Sequence, residues 1–221
     1  MSSAQQIEEM LRLQDGLNAQ INPDWKQAKN PWTRAIWIEA AELLEHIGWK
    51  WWKKQTPNIP QAHIELVDIW HFILSQYAES VPADQYHWLG EHMATRMVDR
   101  GRRIGIFKDN VVSANDLNLA DRIDLMASIA ASGCDCLPYF AAVCEAAELS
   151  FDQLRRMYVS KNVLNVFRQH NGYKDGTYIK DWNGAEDNVY LELLMDKHPN
   201  LAGEDIYKSL AATYQLVKES A

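Results

Sequence analysis

Two stretches decide the fold: Ala35-Ile-Trp-Ile-Glu39-Ala-Ala-Glu42-Leu-Leu-Glu45-His46 and Ile64-Glu65-Leu-Val-Asp68-Ile-Trp-His71-Phe-Ile-Leu74. Each is a helix-length run in which acid groups interrupt apolar sequence. Glu39 and Glu42 are three apart, as are Glu65 and Asp68, so each pair shares one helix face. A helix that is apolar on nearly every side is expected to be buried. Burying an unpaired carboxylate costs several kcal/mol, so such groups are neutralised, ion-paired or bound to metal. No Lys or Arg lies within either apolar run, and a divalent cation is the simplest neutraliser. Oxygen ligands without a His/Cys cluster favour Mg²⁺, with Mn²⁺ as a substitute, over Zn²⁺.

One Glu-x-x-Glu pair alone is an ordinary surface pattern. Two such pairs in apolar frames, joined by the Pro-bounded connection 55–60, point to an antiparallel helical hairpin with a metal site. Asp68 and His71 are also three apart, as in helical di-iron carboxylate proteins. A second Glu-x-x-His is missing, so His71 reads as a core histidine or a support for a ligand. Glu45 and Glu79 read as surface or helix-end charges.

Working outward, 47% hydrophobic residues among 221 allow a substantial core, and seven prolines with ten glycines favour helices. The spacing of apolar residues predicts helices at 4–20, 33–54, 61–79, 83–101, 115–132, 138–148, 150–169, 185–197 and 203–219. The expectation is a single all-α domain spanning 1–221: a helical bundle with a helical insertion or mobile subdomain at about 80–148. Residues 101–116 are irregular, fitting an insertion loop or a short extended piece. Residues 166–188 are rich in Gly, Asn, Asp and Lys, and a loop of that length is usually functional or disordered. Tyr173, Tyr178 and Trp182 argue for order.

A net charge of −8 argues against a groove that tracks nucleic acid polymer. It still allows a phosphate-rich small molecule if cations sit between carboxylates and phosphates. Cys134, Cys136 and Cys144 lack zinc-pair spacing and read as reduced thiols. Met1–Gln6 carries no signal-peptide pattern and no apolar run reaches membrane-spanning length, so a cytoplasmic protein with no membrane partner is expected.

Positive groups that complete a phosphate cage are sought in the C-terminal loop, which supplies Arg168, Lys174 and Lys180, with Asn165 and Tyr173 nearby. Lys174 also fits a solvated turn. Arg96, Arg100, Arg102 and Arg103 read as a solvated face outside the site. Gln14 and Asn18, four apart on the first helix, offer amides that match both edges of a pyrimidine. Trp49, Trp51 and Trp52 fit either a wall for a base or core packing.

With these residues in view, the chain resembles the dimeric dUTPase family, within the all-α NTP pyrophosphohydrolases. The similarity lies in Leu13-Gln14-Asp-Gly-Leu17-Asn18, Glu39-Ala-Ala-Glu42-Leu, Trp49-Lys-Trp-Trp52-Lys53 and Glu65-Leu-Val-Asp68 through Ser75. It continues in Lys161-Asn-Val-Leu-Asn165-Val-Phe-Arg168 through Lys180 and in Trp182 through Asn188. The resemblance implies an all-α homodimer hydrolysing dUTP, and dUDP, to dUMP, which limits uracil entry into DNA. It implies Glu39, Glu42, Glu65 and Asp68 as Mg²⁺ ligands. Asn165, Arg168, Tyr173, Lys174 and Lys180 are implied for phosphates or deoxyribose. Gln14 and Asn18 are implied for uracil, with Trp52 and Lys53 lining the cleft. Glu42, or nearly as well Glu39, is implied to polarise the attacking water. Two readings compete: a related pyrophosphohydrolase acting on another nucleotide such as dCTP, and a non-catalytic helical interaction protein whose acids pair with a partner's bases.

Overall fold

A computed structural model describes residues 1–220. Helix α1 (Ser3–Ile21) opens on a capping box in which Ser2 and Gln5 satisfy each other's backbone N–H. Helix α2 (Trp32–Ile47) stops at Gly48, whose φ of +78° is the left-handed geometry that glycine tolerates. The helix expected over 33–54 is therefore seven residues shorter, and Trp49–Lys54 form an exposed turn. Helix α3 (Ile59–Ala78) starts on the Asn58 cap with Pro60 in its first turn.

Helix α3 is the centre of the bundle. Eleven of its residues are buried, from Ala62 and Glu65 to Ser75 and Ala78, and Trp70 stacks on Phe140 at 5.5 Å. Helix α2 departs from the expectation of burial all round. It buries only Ile36, Ala40 and Leu43 on one stripe and leaves Trp37 and Ile38 about 40% exposed.

Residues 80–148 hold helices α4 (Tyr86–Val98), α5 (Leu119–Ala131) and α6 (Leu137–Ala146), which add Tyr86, Leu89, Ile123, Met126 and Phe140 to the same apolar core as α1–α3. Short 3-10 turns replace the helix ends expected at 83–85, 100–102 and 114–116. Between α4 and α5 lies an antiparallel hairpin, β1 (Ile104–Phe107) and β2 (Asn110–Ser113), with Ile106 opposite Val111. Lys108 and Asp109 both take positive φ in its two-residue turn. Arg103, expected on a solvated face, is fully buried. It grips both oxygens of Glu145 at 2.8 Å and donates to the Met97 carbonyl, which ties the hairpin to α6.

Helix α7 (Phe151–His170), opened by a second capping box at Ser150, is shared by two apolar clusters. Its Leu154 and Tyr158 belong to the main core. Its Leu164 and Phe167 pack with Trp182, Leu191, Leu210 and Tyr214 of the C-terminal part. That part comprises the two-residue strands β3 (Asp181–Trp182) and β4 (Ala185–Glu186), then α8 (Asp187–Lys197) and α9 (Gly203–Ser220). The architecture is all-α, with two small hairpins. The cysteines are free thiols, Cys134 exposed and the other two buried. No helix among the described residues is long and apolar enough to cross a membrane.

One glycine fixes how closely α4 approaches α1. A Cβ at Gly90 would sit 2.6 Å from the Ala4 carbonyl oxygen and 3.2 Å from the Glu8 nitrogen. Both atoms are backbone and cannot step aside. Gly90→Ala gains roughly 1 kcal/mol of helix propensity but forces the helices apart at a cost of about 1–3 kcal/mol. We expect a net loss of stability, read as a lower urea midpoint at unchanged m-value; an unchanged or higher midpoint would contradict the close packing.

Candidate active site

A cavity of about 830 Å³ opens where α1, α2, α3 and α7 meet the 173–188 segment. Its acid wall comes from the two helices singled out in the sequence. Glu39 and Glu42 of α2 and Glu65 of α3 each place an oxygen within 4.8 Å of the others. Asp68 lines the same cavity but is not one of that trio, and Lys161 of α7 donates to its Oδ2 at 2.9 Å. His46, one turn beyond Glu42, brings its Nε2 to 3.2 Å from Glu65 Oε1.

Crowding like charges in a half-dry cleft disfavours ionisation. Burial, reinforced by the charges of Asp68 and Glu42, pushes Glu39 up to about 8 and Glu65 up to about 7. Three carboxylates in mutual reach, two of them reluctant to ionise without help, form a donor set suited to a hard divalent cation. Of the four ligands expected, three are assembled and the fourth is held by an ammonium.

The opposite wall is cationic and comes from α7 and α8. Lys161, Asn165 and Arg168 lie four and three residues apart and so share one face. Arg168 is clamped by Asp187, with Nε at 2.8 Å and Nη2 at 2.7 Å, and also donates to Asn165 and Asn188. Asn188 Oδ1 accepts from Lys161 as well, at 3.0 Å, so one amide spans both cations. Tyr173 and Lys180 complete this wall, with Lys180 paired to Glu186 at 3.0 Å.

At the third side the amides expected to read a base are present and buried. Gln14 Nε2 donates to Asn18 Oδ1 at 3.0 Å, and Asn18 Nδ2 donates to Ser75 Oγ at 2.9 Å. Gln14 Oε1 accepts from His71 Nδ1 at 2.7 Å and from the Tyr158 hydroxyl at 3.1 Å. Burial pushes His71 down to about 3, so the ring is neutral. With its proton on Nδ1, its buried Nε2 lone pair is an acceptor that no protein group satisfies, in a residue that lines the cavity. Trp32 and Phe72, whose rings lie 6.4 Å apart, give this end an aromatic side.

Of the thirteen residues expected at the site, ten line the cavity: Gln14, Asn18, Glu39, Glu42, Glu65, Asp68, Asn165, Arg168, Tyr173 and Lys180. Lys174 does not; its Nζ donates to the Ile21 carbonyl at 2.6 Å. Trp52 and Lys53 do not either, because the early end of α2 leaves them on the exposed turn, where Trp52 packs edge-on against Trp49 and Trp51. Sequence reading missed Lys161, Asn188, Asp187 and Trp32 as contributors. Lys161 was legible: it lies one helical turn before Asn165 on the same face. Asp187 and Asn188 were not, since their role depends on where α8 docks.

A family model described as dUTPase matches residues 6–173 of the 221. No curated protein matches the chain. The match runs from α1 through the acid trio to Tyr173, more than half of the chain, and the chain belongs to the all-α dUTPase family, a family of hydrolases acting on dUTP.

The two raised carboxyls carry a consequence for stability. Glu39 and Glu65 bind protons in the fold that they release when unfolded, so their contribution is present at low pH and lost as pH rises through about 7 to 8. His71, held below its usual value, acts in the opposite direction, removing stability as pH falls below about 6.5 toward 3. In chelator, the melting temperature should therefore fall between pH 6 and pH 9. Glu39→Gln should flatten that slope, and identical slopes for wild type and variant would refute a Glu39 carboxyl held protonated by its surroundings.

Proposed function

With membership of the dUTPase family as the premise, we propose that this chain is a Mg²⁺-dependent dUTP diphosphatase. It would convert dUTP, and also dUDP, to dUMP, keeping uracil out of DNA and supplying dUMP. The observation that carries this reading is one cavity with an acid trio on one wall, two tethered cations on the other and a buried amide–imidazole cluster at the side.

Glu39, Glu42 and Glu65 would hold Mg²⁺, or Mn²⁺ in its place, with Asp68 available once Lys161 releases it. The bound cation would neutralise phosphate oxygens and ease deprotonation of the attacking water. Glu42, the most exposed of the trio, is placed to take that proton, with Glu39 as the alternative. Arg168, Lys161 and Lys180 would stabilise charge on the phosphate chain, with Arg168 held in place by Asp187 before substrate arrives. Uracil presents two carbonyl acceptors flanking an N–H donor. The amide N–H groups of Gln14 and Asn18 suit the carbonyls, and the unsatisfied His71 Nε2 suits the N–H. Cytosine offers an acceptor where uracil has that N–H and would leave two lone pairs facing each other, a mismatch that hydrogen-bonding sites reject strongly. That argument favours dUTP over dCTP.

A homodimer is part of the proposal. Trp37, Trp49, Trp51 and Trp52 are all more than 40% exposed, an apolar surface that a monomer rarely leaves open. The net charge of −8 argues against a polymeric nucleic acid partner.

The test is pyrophosphate and phosphate release from dUTP, dCTP, dTTP and UTP with Mg²⁺. We expect dUTP to be preferred, and equal turnover of all four would overturn the base assignment. Glu42→Gln and Asp68→Asn should fold while losing about 10²–10⁴-fold in kcat; wild-type rates in either would overturn the metal assignment. A folded protein with no turnover, and no thermal shift with Mg²⁺ and a non-hydrolysable nucleotide, would favour the interaction-protein reading.

A further inference from the structure

Behind the cationic wall lies a second cavity, of about 500 Å³, bounded by the start of α3, by α7 and by α8. Its floor is apolar, made by Ile59, Ile64, Val67, Met157, Leu191 and Met195. Glu192 and Asp196, one helical turn apart on α8, add two acid groups to its lining, and neither has an ion-pair partner among the described residues. Lys161 and Asn188 line this cavity as well as the candidate active site, so the two share a wall.

The chain also carries a feature of complementary chemistry. The turn after Gly48 exposes Trp51 by 88% and Trp52 by 56%, with edge-on ring contacts of 5.5 and 5.2 Å within the Trp49, Trp51, Trp52 group. Lys53 and Lys54 follow, both exposed and both without an ion-pair partner among the described residues. Two unburied indoles followed by two lysines thus match an apolar groove with two acids that no cation neutralises among the described residues, Glu192 accepting only from Gln61 Nε2 at 3.1 Å. Trp is the residue type most enriched where interfaces concentrate their binding energy. Opposite charges at the rim set orientation and partner choice.

Turn and groove also follow each other in the chain, since Ile59 opens the groove five residues after Lys54. In an isologous dimer each surface is used twice about one axis. We propose that the Trp51–Lys54 turn of a second copy seats in the groove of the first, the indoles on its apolar floor and the lysines against Glu192 and Asp196. This rests on the homodimer reading above and names the surface that makes it. Because Lys161 and Asn188 back the groove, the seated partner would press on the wall that aims the two cations.

The test is sedimentation equilibrium of the full chain across a dilution series. Lys53→Glu with Lys54→Glu should raise the dimer dissociation constant at least about tenfold, and Glu192→Lys with Asp196→Lys should do the same. All four sites are exposed or half-exposed, and circular dichroism checks that each variant folds. Combining the four substitutions restores opposite charges across the rim and should return the dissociation constant to within a few-fold of wild type. A dimeric wild type whose charge-reversed variants bind equally tightly, or whose combined variant stays weak, overturns the docking surface and leaves the homodimer standing. A wild type that is monomeric at every concentration overturns both.

Discussion

Three carboxyl groups held within 4.8 Å of one another set the terms for the rest of this molecule. Two unit charges at that separation repel by about 3–4 kcal/mol at an effective dielectric constant near 20. Net stabilities of domains are only about 5–15 kcal/mol, so a fully ionised trio would consume much of what holds the fold together. The chain must protonate some of the acids or bring in positive charge. It keeps Glu39 and Glu65 partly protonated, and Lys161, whose charge also reaches Glu65, makes its direct ion pair with the neighbouring Asp68. The acids are thus left short of one counter-charge, which is the condition a divalent cation relieves.

The cationic wall shows the same arrangement from the other side. An arginine has five N–H donors, and Arg168 has committed four: two to Asp187, one to Asn165 and one to Asn188. One donor remains, so in this arrangement Arg168 offers a single directed contact and a fixed charge rather than a two-pronged grip. Lys161 has likewise used two of its three donors, on Asp68 and Asn188. These cations are braced by α8, and α8 is braced by the apolar cluster around Phe167, Trp182 and Tyr214. Packing in a separate apolar cluster therefore decides where these positive charges are held.

Much of this was legible in the sequence because it follows from helical periodicity. Acids three apart in apolar runs had to share a face, and both pairs do line one cavity. Gln14 and Asn18, four apart, do as well. What failed was set by single backbone positions or by tertiary contacts. Gly48 at φ +78° ends α2 early and throws Trp52 and Lys53 outward, an outcome that apolar spacing across 49–54 gave no hint of. Arg103 looked like one of four surface arginines, yet it is buried, because Glu145 from a helix over forty residues away supplies its partner. The α2 helix reads as apolar all round but buries one stripe only, since the composition of a helix does not reveal what covers its far side.

The exposed stripe and the displaced turn have a common physical origin. An isolated chain that buried Trp37, Trp51 and Trp52 against itself would have to carry α2 past Gly48 or fold the turn back over the cavity mouth. The first is opposed by the left-handed glycine and by Asn58, whose backbone N–H bonds to the His46 carbonyl at 2.8 Å and pins the exit of the turn. The second would bring bulky indoles toward the cavity that His46, near the end of α2, lines. Leaving the tryptophans outside keeps the turn short, at the expense of exposed apolar surface. The exposed indoles and the uncovered cavity are then two consequences of one short turn.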